Sequence, residues 1–115
     1  MRPKNFSTRF YSNQQEKKVA KAVGGKQTAN SGATAFSKGD VRTDDWLLEC
    51  KTHTEERQQF TIKKEWIEKN REEAFQMGKH HAALVIDFGD GAQHYLISER
   101  DFLELLEHLR EVNKE

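Results

Sequence analysis

Residues 40–52 read DVRTDDWLLECKT, in which two extended stretches flank the pair Asp44–Asp45. Asp is a common turn residue, and two residues leave room only for a tight hairpin. We therefore predict strands over Asp40–Thr43 and Trp46–Thr52, paired antiparallel.

This hairpin brings three charged side chains together. With Asp44–Asp45 as a two-residue turn, Asp40 pairs with Glu49, whereas a slip of one residue would place Asp40 on the other face. Side chains alternate along a strand, so Glu49 and Lys51 share one face. Opposed carboxylates have Cβ atoms about 4.5–5.5 Å apart and repel each other unless a cation lies between them. Oxygen ligands suit Mg²⁺ or Mn²⁺, and such a centre beside a lysine is suited to phosphodiester hydrolysis.

The N-terminal side of the chain predicts one helix and one short strand. Residues 1–11 have the composition of a flexible basic arm, and Ser12 can cap a helix that stops at Gly24–Gly25. The segment Lys26–Gly39 is rich in small residues and is interpreted as a short strand that runs into a loop.

The C-terminal side predicts two helices and two strands. Thr61 can cap an amphipathic helix that ends near Gly78, and Ser98 can cap a last helix with apolar residues at helical spacing. Between them, the apolar run Ala82–Phe88 indicates a central strand covered on both faces, and a further strand follows over His94–Ile97.

The order helix, three strands, helix, two strands, helix predicts an α/β fold, a mixed sheet of about five strands flanked by helices. The 115 residues suffice for one ordinary domain over 1–115 and are too few for two. No run approaches the roughly 20 apolar residues of a membrane span, and the first ten residues lack the apolar segment of a secretory signal. The single cysteine, Cys50, permits no internal disulfide and is expected in the core. We expect a protein of the cytoplasm.

Charge is distributed unevenly along the chain. Residues 1–38 hold eight Lys/Arg and one acid, Glu16, whereas residues 39–115 hold eleven bases and eighteen acids, which gives net charges of +7 and −7. A basic arm and first helix attract a phosphate backbone, because each neutralised phosphate releases counterions. A solvated N-terminal arm explains the same charge equally well.

Four elements occur in a characteristic order. They are a helix bearing Glu16, then Asn30-Ser31-Gly32-Ala33, then Lys38-Gly39-Asp40-Val41, then Leu48-Glu49-Cys50-Lys51. This order resembles the PD-(D/E)XK nuclease superfamily, and within it the archaeal-type and phage-borne Holliday junction resolvases, over about residues 12–80. Gly39 replaces the proline that usually precedes the aspartate.

The resemblance implies a restriction-endonuclease-like fold with the active site at one sheet edge, and a metal-dependent endonuclease acting on branched DNA. Symmetric cleavage of a four-way junction needs two active sites, so a homodimer follows, with the second helix or the helix over Phe102–Val112 as its interface. A short chain of this kind suits a phage, which would place it in the host cytoplasm. The implied site residues are Asp40 and Glu49 as ligands of Mg²⁺ or Mn²⁺, Lys51 as the catalytic lysine, Glu16 as support for the metal site, and Ser31 near the substrate.

Other interpretations stay open. The same fold could act on nicked, flapped or duplex DNA, or could serve as a non-catalytic nucleic-acid-binding module, although such a module has no need for two opposed carboxylates. Lys63 and Lys64 either contact phosphate or belong to a solvated helix face. The pair His80–His81 and His94 are expected at strand ends without a metal role, and Trp66 is expected in the core.

Overall fold

The computed structural model describes residues 7–28 and 40–114. Within these residues, three helices and five strands follow one another in the predicted order. The predicted loop motif that contains Ser31 lies outside the described residues. The elements are α1 Thr8–Val23, β1 Lys26–Gln27, β2 Val41–Arg42, β3 Trp46–Thr52, α2 Lys64–Gln76, β4 His81–Asp87, β5 Gln93–Ile97 and α3 Glu99–Asn113.

The described strands form one sheet in the order β1-β2-β3-β4-β5. Neighbouring strands are antiparallel except β3 and β4, which run parallel and are connected through α2. The predicted fold class is confirmed: an α/β fold with a mixed, open, five-stranded sheet and helices that flank it.

Strand β3 separates two hydrophobic clusters. Leu48 and Cys50 pack with Val19 of α1, whereas Leu47 packs with Ala74 of α2 on the opposite face. Cys50 therefore contributes to the core, as predicted. The two clusters hold α1 and α2 on opposite faces of the sheet.

This alternation decides where the charged residues of β3 lie. Glu49 and Lys51 share the face of Leu47, which is the face that α2 covers. In the adjacent strand β4, the residues from Ala82 to Asp87 are all buried, so the apolar run forms a central strand as predicted. Glu49 and Lys51 thus lie between the hydrophobic core and the first turns of α2.

The first helix begins earlier than predicted. Ser7, not Ser12, is its N-cap, and the Ser7 hydroxyl accepts a backbone hydrogen bond at 3.2 Å. Tyr11 is only 2% exposed, and its packing stabilises helix over residues 8–11, which the sequence predicted as part of a flexible arm. The helix ends at Gly24 as predicted, because a left-handed φ of 68° favours glycine at that position.

The second helix begins later than predicted. Its N-cap is Lys63 rather than Thr61, and no side chain caps it. The chain before it forms a loop against the end of β4, where strand-end carbonyls accept hydrogen bonds from the amides of His53 and Arg57. Ser98 caps α3 as predicted, with its hydroxyl accepting a backbone hydrogen bond at 3.1 Å.

Helix α3 is peripheral. Asp101 is its buried residue, whereas Phe102, Leu105, Leu109 and Val112 are exposed. Despite this apolar stripe, no helix in the described ranges is long and apolar enough to cross a membrane.

Candidate active site

The pairing of β2 with β3 has the predicted register. Val41 lies opposite Leu48, as predicted, and this is the last pair of the two strands. Asp40 and Glu49 adjoin that pair, and the charge of Asp40 raises the pKa of Glu49. The two carboxylates therefore belong to one site.

Three hydrogen bonds fix Asp40 in place. Its amide donates to the carbonyl of Leu48 at 3.0 Å, and its carbonyl accepts from the amide of Thr28 at 3.0 Å. Its carboxylate atom Oδ2 accepts from the amide of Cys50 at 2.7 Å. The side chain of Asp40 thus takes the place of a strand carbonyl, which leaves little freedom for its carboxylate to move.

The candidate residues lie beside a strand that is only partly paired among the described residues. Strand β3 is the middle strand of the described sheet, and the expectation of an active site at one sheet edge stays a prediction. However, β2 begins only at Val41, and its pairing with β3 covers only Leu47 and Leu48. Beyond Leu48, the β2 side of β3 has no strand partner among the described residues. Glu49 therefore lies just past the paired part of the hairpin.

Burial and like charges perturb the acids. Desolvation raises the pKa of Glu49 to about 7, with a further contribution from the charge of Asp40 and an opposing one from Lys51. Burial likewise raises the pKa of Asp40, against the hydrogen bond from Cys50 and the charge of Lys51. Two carboxylates this close resist being ionised together, which is the condition that a bound cation relieves.

Lys51 is held by an aromatic ring. Its Nζ lies 4.4 Å from the centroid of the Trp66 ring, and the Nζ of Lys63 lies 5.8 Å from the same centroid. Trp66 is half-buried at the start of α2 and lines the space beside β3 rather than filling the closed core. The ring therefore positions the ammonium group of Lys51, since a cation is attracted to an aromatic face.

Glu73 is a member of the site that sequence reasoning missed. It is 8% exposed, and its charge raises the pKa of both Asp40 and Glu49. Lys69, one helical turn earlier, has its Nζ 4.0 Å from the Glu73 carboxylate and lowers both pKa values. The spacing along α2 could have indicated Glu73, because it lies two helical turns after Trp66, on the stripe of the helix that faces the sheet.

The other predicted residues have different placements. Burial and the charge of Asp40 raise the pKa of Glu16, whose Oε1 accepts a hydrogen bond from the Gln27 amide at 3.3 Å. Glu16 therefore lies within electrostatic reach of Asp40. Ser31 lies outside the described residues. Lys64 is exposed at the first position of α2.

Two cavities adjoin the charged residues. One, of about 430 Å³, lies between β3 and α2, and Glu49, Lys51 and Trp66 are among its lining residues. The other, of about 650 Å³, extends from Lys51 and Trp66 along the loop before α2 and is also lined by Arg57 and Phe60. Lys51 and Trp66 stand between the two spaces, so a ligand that entered the larger cavity would meet the ammonium group of Lys51.

The donor set fits a hard divalent cation. Mg²⁺ takes one or two protein carboxylates and keeps water and substrate oxygens as its remaining ligands, and Asp40 and Glu49 supply that number. Glu16, Asp40 and Glu49 do not bring three ligand atoms within 4.8 Å of one another in the described structure. Glu16 lies close enough to Asp40 for their charges to repel each other, but it does not complete a tight three-carboxylate site.

Comparisons of the chain with protein-family models, with curated proteins and with solved structures gave no match.

Proposed function

We propose that this protein is a metal-dependent DNA endonuclease of the PD-(D/E)XK type that cleaves branched DNA. The observation that carries the proposal is the juxtaposition of Asp40 and Glu49 just past the last described pair of β2 and β3, with Lys51 on the same face of β3 as Glu49. The resemblance of the motifs around these residues to Holliday junction resolvases supports the choice of substrate.

The reaction is hydrolysis of a phosphodiester: water adds to phosphorus, one ester P–O bond breaks, and the departing oxygen takes up a proton. Mg²⁺ or Mn²⁺, when bound, supplies charge stabilisation and a more acidic water. Asp40 and Glu49 would hold the metal ion, because their two negative charges repel each other until a cation lies between them. Lys51, fixed against Trp66, would orient the attacking water or donate to a phosphate oxygen as its charge grows.

The larger cavity has the character of a nucleic-acid groove. Lys51 and Arg57 contribute positive charge, and Phe60 and Trp66 contribute aromatic rings. Cationic grooves with aromatic side chains bind nucleic-acid strands through the backbone and through base stacking. In this proposal, the DNA strand that leads to the scissile phosphate lies in this groove. Lys63, beside Trp66, is a further phosphate contact.

A second copy of the chain is the proposed partner of α3. Its exposed residues Phe102, Leu105, Leu109 and Val112 form one stripe, and two symmetric active sites are what a four-way junction requires. Light scattering should show two chains for the wild type and one for Leu109→Glu, with Glu111→Gln as a control on the same helix. A wild type that is monomeric with and without junction DNA would contradict the dimer.

The experiment that tests the function compares substrates. A labelled four-way junction, a flap and a matched linear duplex are incubated with the protein in Mg²⁺ or Mn²⁺. Paired symmetric nicks in the junction, with little cutting of the duplex, support the resolvase proposal. Equal cutting of all three substrates indicates a general nuclease of the same type. Junction binding without cutting in either metal contradicts the proposed activity and indicates a binding module.

A further inference from the structure

A second cluster of possible metal ligands lies at the start of β4, away from the candidate active site. His80 and His81 meet Glu104 of α3, and one ligand atom from each of the three lies within 4.8 Å of the others. The Nε2 atoms of His80 and His81 are 3.0 Å and 3.6 Å from the same carboxylate atom, Glu104 Oε2. We expected these histidines at a strand end without a metal role, since Glu104 lies on a separate helix more than twenty residues further along.

Asp101 determines which nitrogen of His81 is available. The Nδ1 of His81 is 2.7 Å from Asp101 Oδ1, and Asp101 is 2% exposed. The amide of Ala82 donates to Asp101 Oδ2 at 3.4 Å, and the guanidinium of Arg100 donates to Oδ1 at 3.2 Å. A carboxylate surrounded by donors acts as an acceptor, so Nδ1 of His81 is the donor in their contact.

This assignment leaves two acceptors facing each other. In a neutral imidazole with a proton on Nδ1, the Nε2 of His81 is a bare lone pair, and it lies 3.6 Å from an acceptor oxygen of Glu104. Either a second proton on His81 or a metal cation satisfies both groups. The Nε2 of His80 approaches the same oxygen, so the cluster converges on one position.

We propose that His80, His81 and Glu104 form a binding site for a zinc-class transition-metal cation. Zinc has bonds of about 2.0–2.2 Å to imidazole nitrogen and carboxylate oxygen, so neighbouring ligand atoms in a tetrahedral site are about 3.3 Å apart. The two distances to Glu104 lie on either side of that value. Two imidazoles and one carboxylate suit zinc, whereas Mg²⁺ prefers oxygen ligands alone.

The surroundings have the features that metal-binding histidines require. The hydrogen bond from His81 to Asp101 orients the ring through its other nitrogen, a common arrangement at zinc sites. Stacking on Trp46, with ring centroids 4.6 Å apart, also holds the plane of the His81 ring. Arg100 donates to Asp101 at 3.2 Å and to the carbonyl of His80 at 2.6 Å. It therefore links the Asp101 side chain to the backbone of His80.

The metal would fasten α3 to the sheet. Asp101 is the buried residue of this helix, and coordination by Glu104 would add an attachment almost one turn further on. The site is separate from the proposed catalytic centre, because His81 and Leu84, the partner of Glu49, are three residues apart on β4, a rise of about 10 Å. Bound zinc should therefore stabilise the helix that presents the exposed apolar stripe.

The test is a titration of metal-free protein with Zn²⁺ in excess Mg²⁺, which occupies the acidic centre. We expect one zinc ion per chain, a melting temperature that rises with zinc, and slower hydrogen exchange in α3. Glu104→Gln and His81→Ala should each weaken zinc binding at least about tenfold, and Asp101→Asn by about 10–100-fold. His108→Ala, on an exposed position of the same helix, is the matched control and should bind zinc as the wild type does.

Glu104→Gln keeps the test decisive if the buried substitutions prevent folding, since its side chain is 44% exposed. Circular dichroism of each metal-free variant verifies the fold. Absence of stoichiometric zinc binding would overturn the proposal, and so would unchanged binding by folded Glu104→Gln and His81→Ala. Loss of zinc binding in Asp40→Asn, with Glu104→Gln unaffected, would place the zinc at the other site and also overturn it.

Discussion

The carboxylate of Asp40 accepts a 2.7 Å hydrogen bond from the backbone amide of Cys50, just past the last pair that the described part of the chain forms between β2 and β3. This bond joins the two halves of the site. The residues on either side of Cys50 are Glu49 and Lys51, so any displacement of Asp40 relative to β3 alters its position relative to both.

The hydrogen bond from the Cys50 amide to Asp40 should contribute measurably to the stability of the protein. Asp40→Asn removes the charge but keeps an oxygen that can accept from Cys50, whereas Asp40→Ala removes both. We expect the free energy of unfolding of Asp40→Ala to be lower than that of Asp40→Asn by about 1–2 kcal/mol, because the buried amide loses its acceptor. Urea unfolding in EDTA measures this difference. Equal stability of the two variants would show that the hydrogen bond contributes nothing.

The contact between Lys51 and Trp66 predicts a graded effect on cleavage. Trp66→Phe keeps an aromatic face for the ammonium group, whereas Trp66→Leu does not. We expect single-turnover cleavage to fall about ten- to hundred-fold in Trp66→Leu and less in Trp66→Phe, because a displaced catalytic group lowers the rate steeply. Glu72→Gln, at an exposed position of the same helix, is the control and should cleave at the wild-type rate. Equal rates in the two Trp66 variants would exclude positioning by the ring.

The raised pKa of Glu49 predicts a loss of stability with rising pH in metal-free protein. Folding raises its pKa from 4.5 to about 7, so the native state keeps a proton that the unfolded chain has released. The contribution of Glu49 to the free energy of unfolding is complete below pH 4.5 and is lost as pH rises through about 7, by on the order of 3 kcal/mol. Urea unfolding in EDTA across this interval measures the slope.

Glu49→Gln is the control for this pH dependence, and it should flatten the slope. Mg²⁺ should stabilise the wild type more at pH 8 than at pH 6, because the cation competes with the proton on Glu49. A wild-type slope that Glu49→Gln leaves unchanged would mean that another group causes it.

Glu73 should tune the pH dependence of the site. Its charge raises the pKa of Glu49 and Asp40, so Glu73→Gln should lower both and shift the Mg²⁺-binding profile to lower pH. Glu72→Gln, on the exposed side of α2, should leave the profile in place. Titration of Mg²⁺ binding against pH distinguishes the two variants. An identical shift in both would point to general charge loss rather than to the position of Glu73.

The hairpin was predictable because strand periodicity leaves few choices. Two turn residues fix which residues pair, and the pairing of Val41 with Leu48 has the predicted register. Alternation then places Glu49 and Lys51 on one face. The burial of β4 was predictable for another reason, its uninterrupted apolar run.

Contacts between distant elements were not predictable from local patterns. Ser12 satisfied the local rule for an N-cap, but Tyr11 is buried and helix α1 begins upstream of it. Glu73 is one of many charged residues of the second helix, and only the packing of α2 on the sheet shows that it is buried. Glu104 joins His81 only because α3 folds back over the start of β4, and the sequence spacing of these residues gives no sign of it.

The catalytic roles of Glu49 and Lys51 are tested by single-turnover nicking of a four-way junction in Mg²⁺ by the wild type, Glu49→Gln and Lys51→Ala, with Glu72→Gln as the control. We expect Glu49→Gln and Lys51→Ala to lose about 10²–10⁴-fold in nicking rate while they still bind the junction, and Glu72→Gln to nick at the wild-type rate. Nicking by Glu49→Gln or Lys51→Ala at the wild-type rate would contradict these roles.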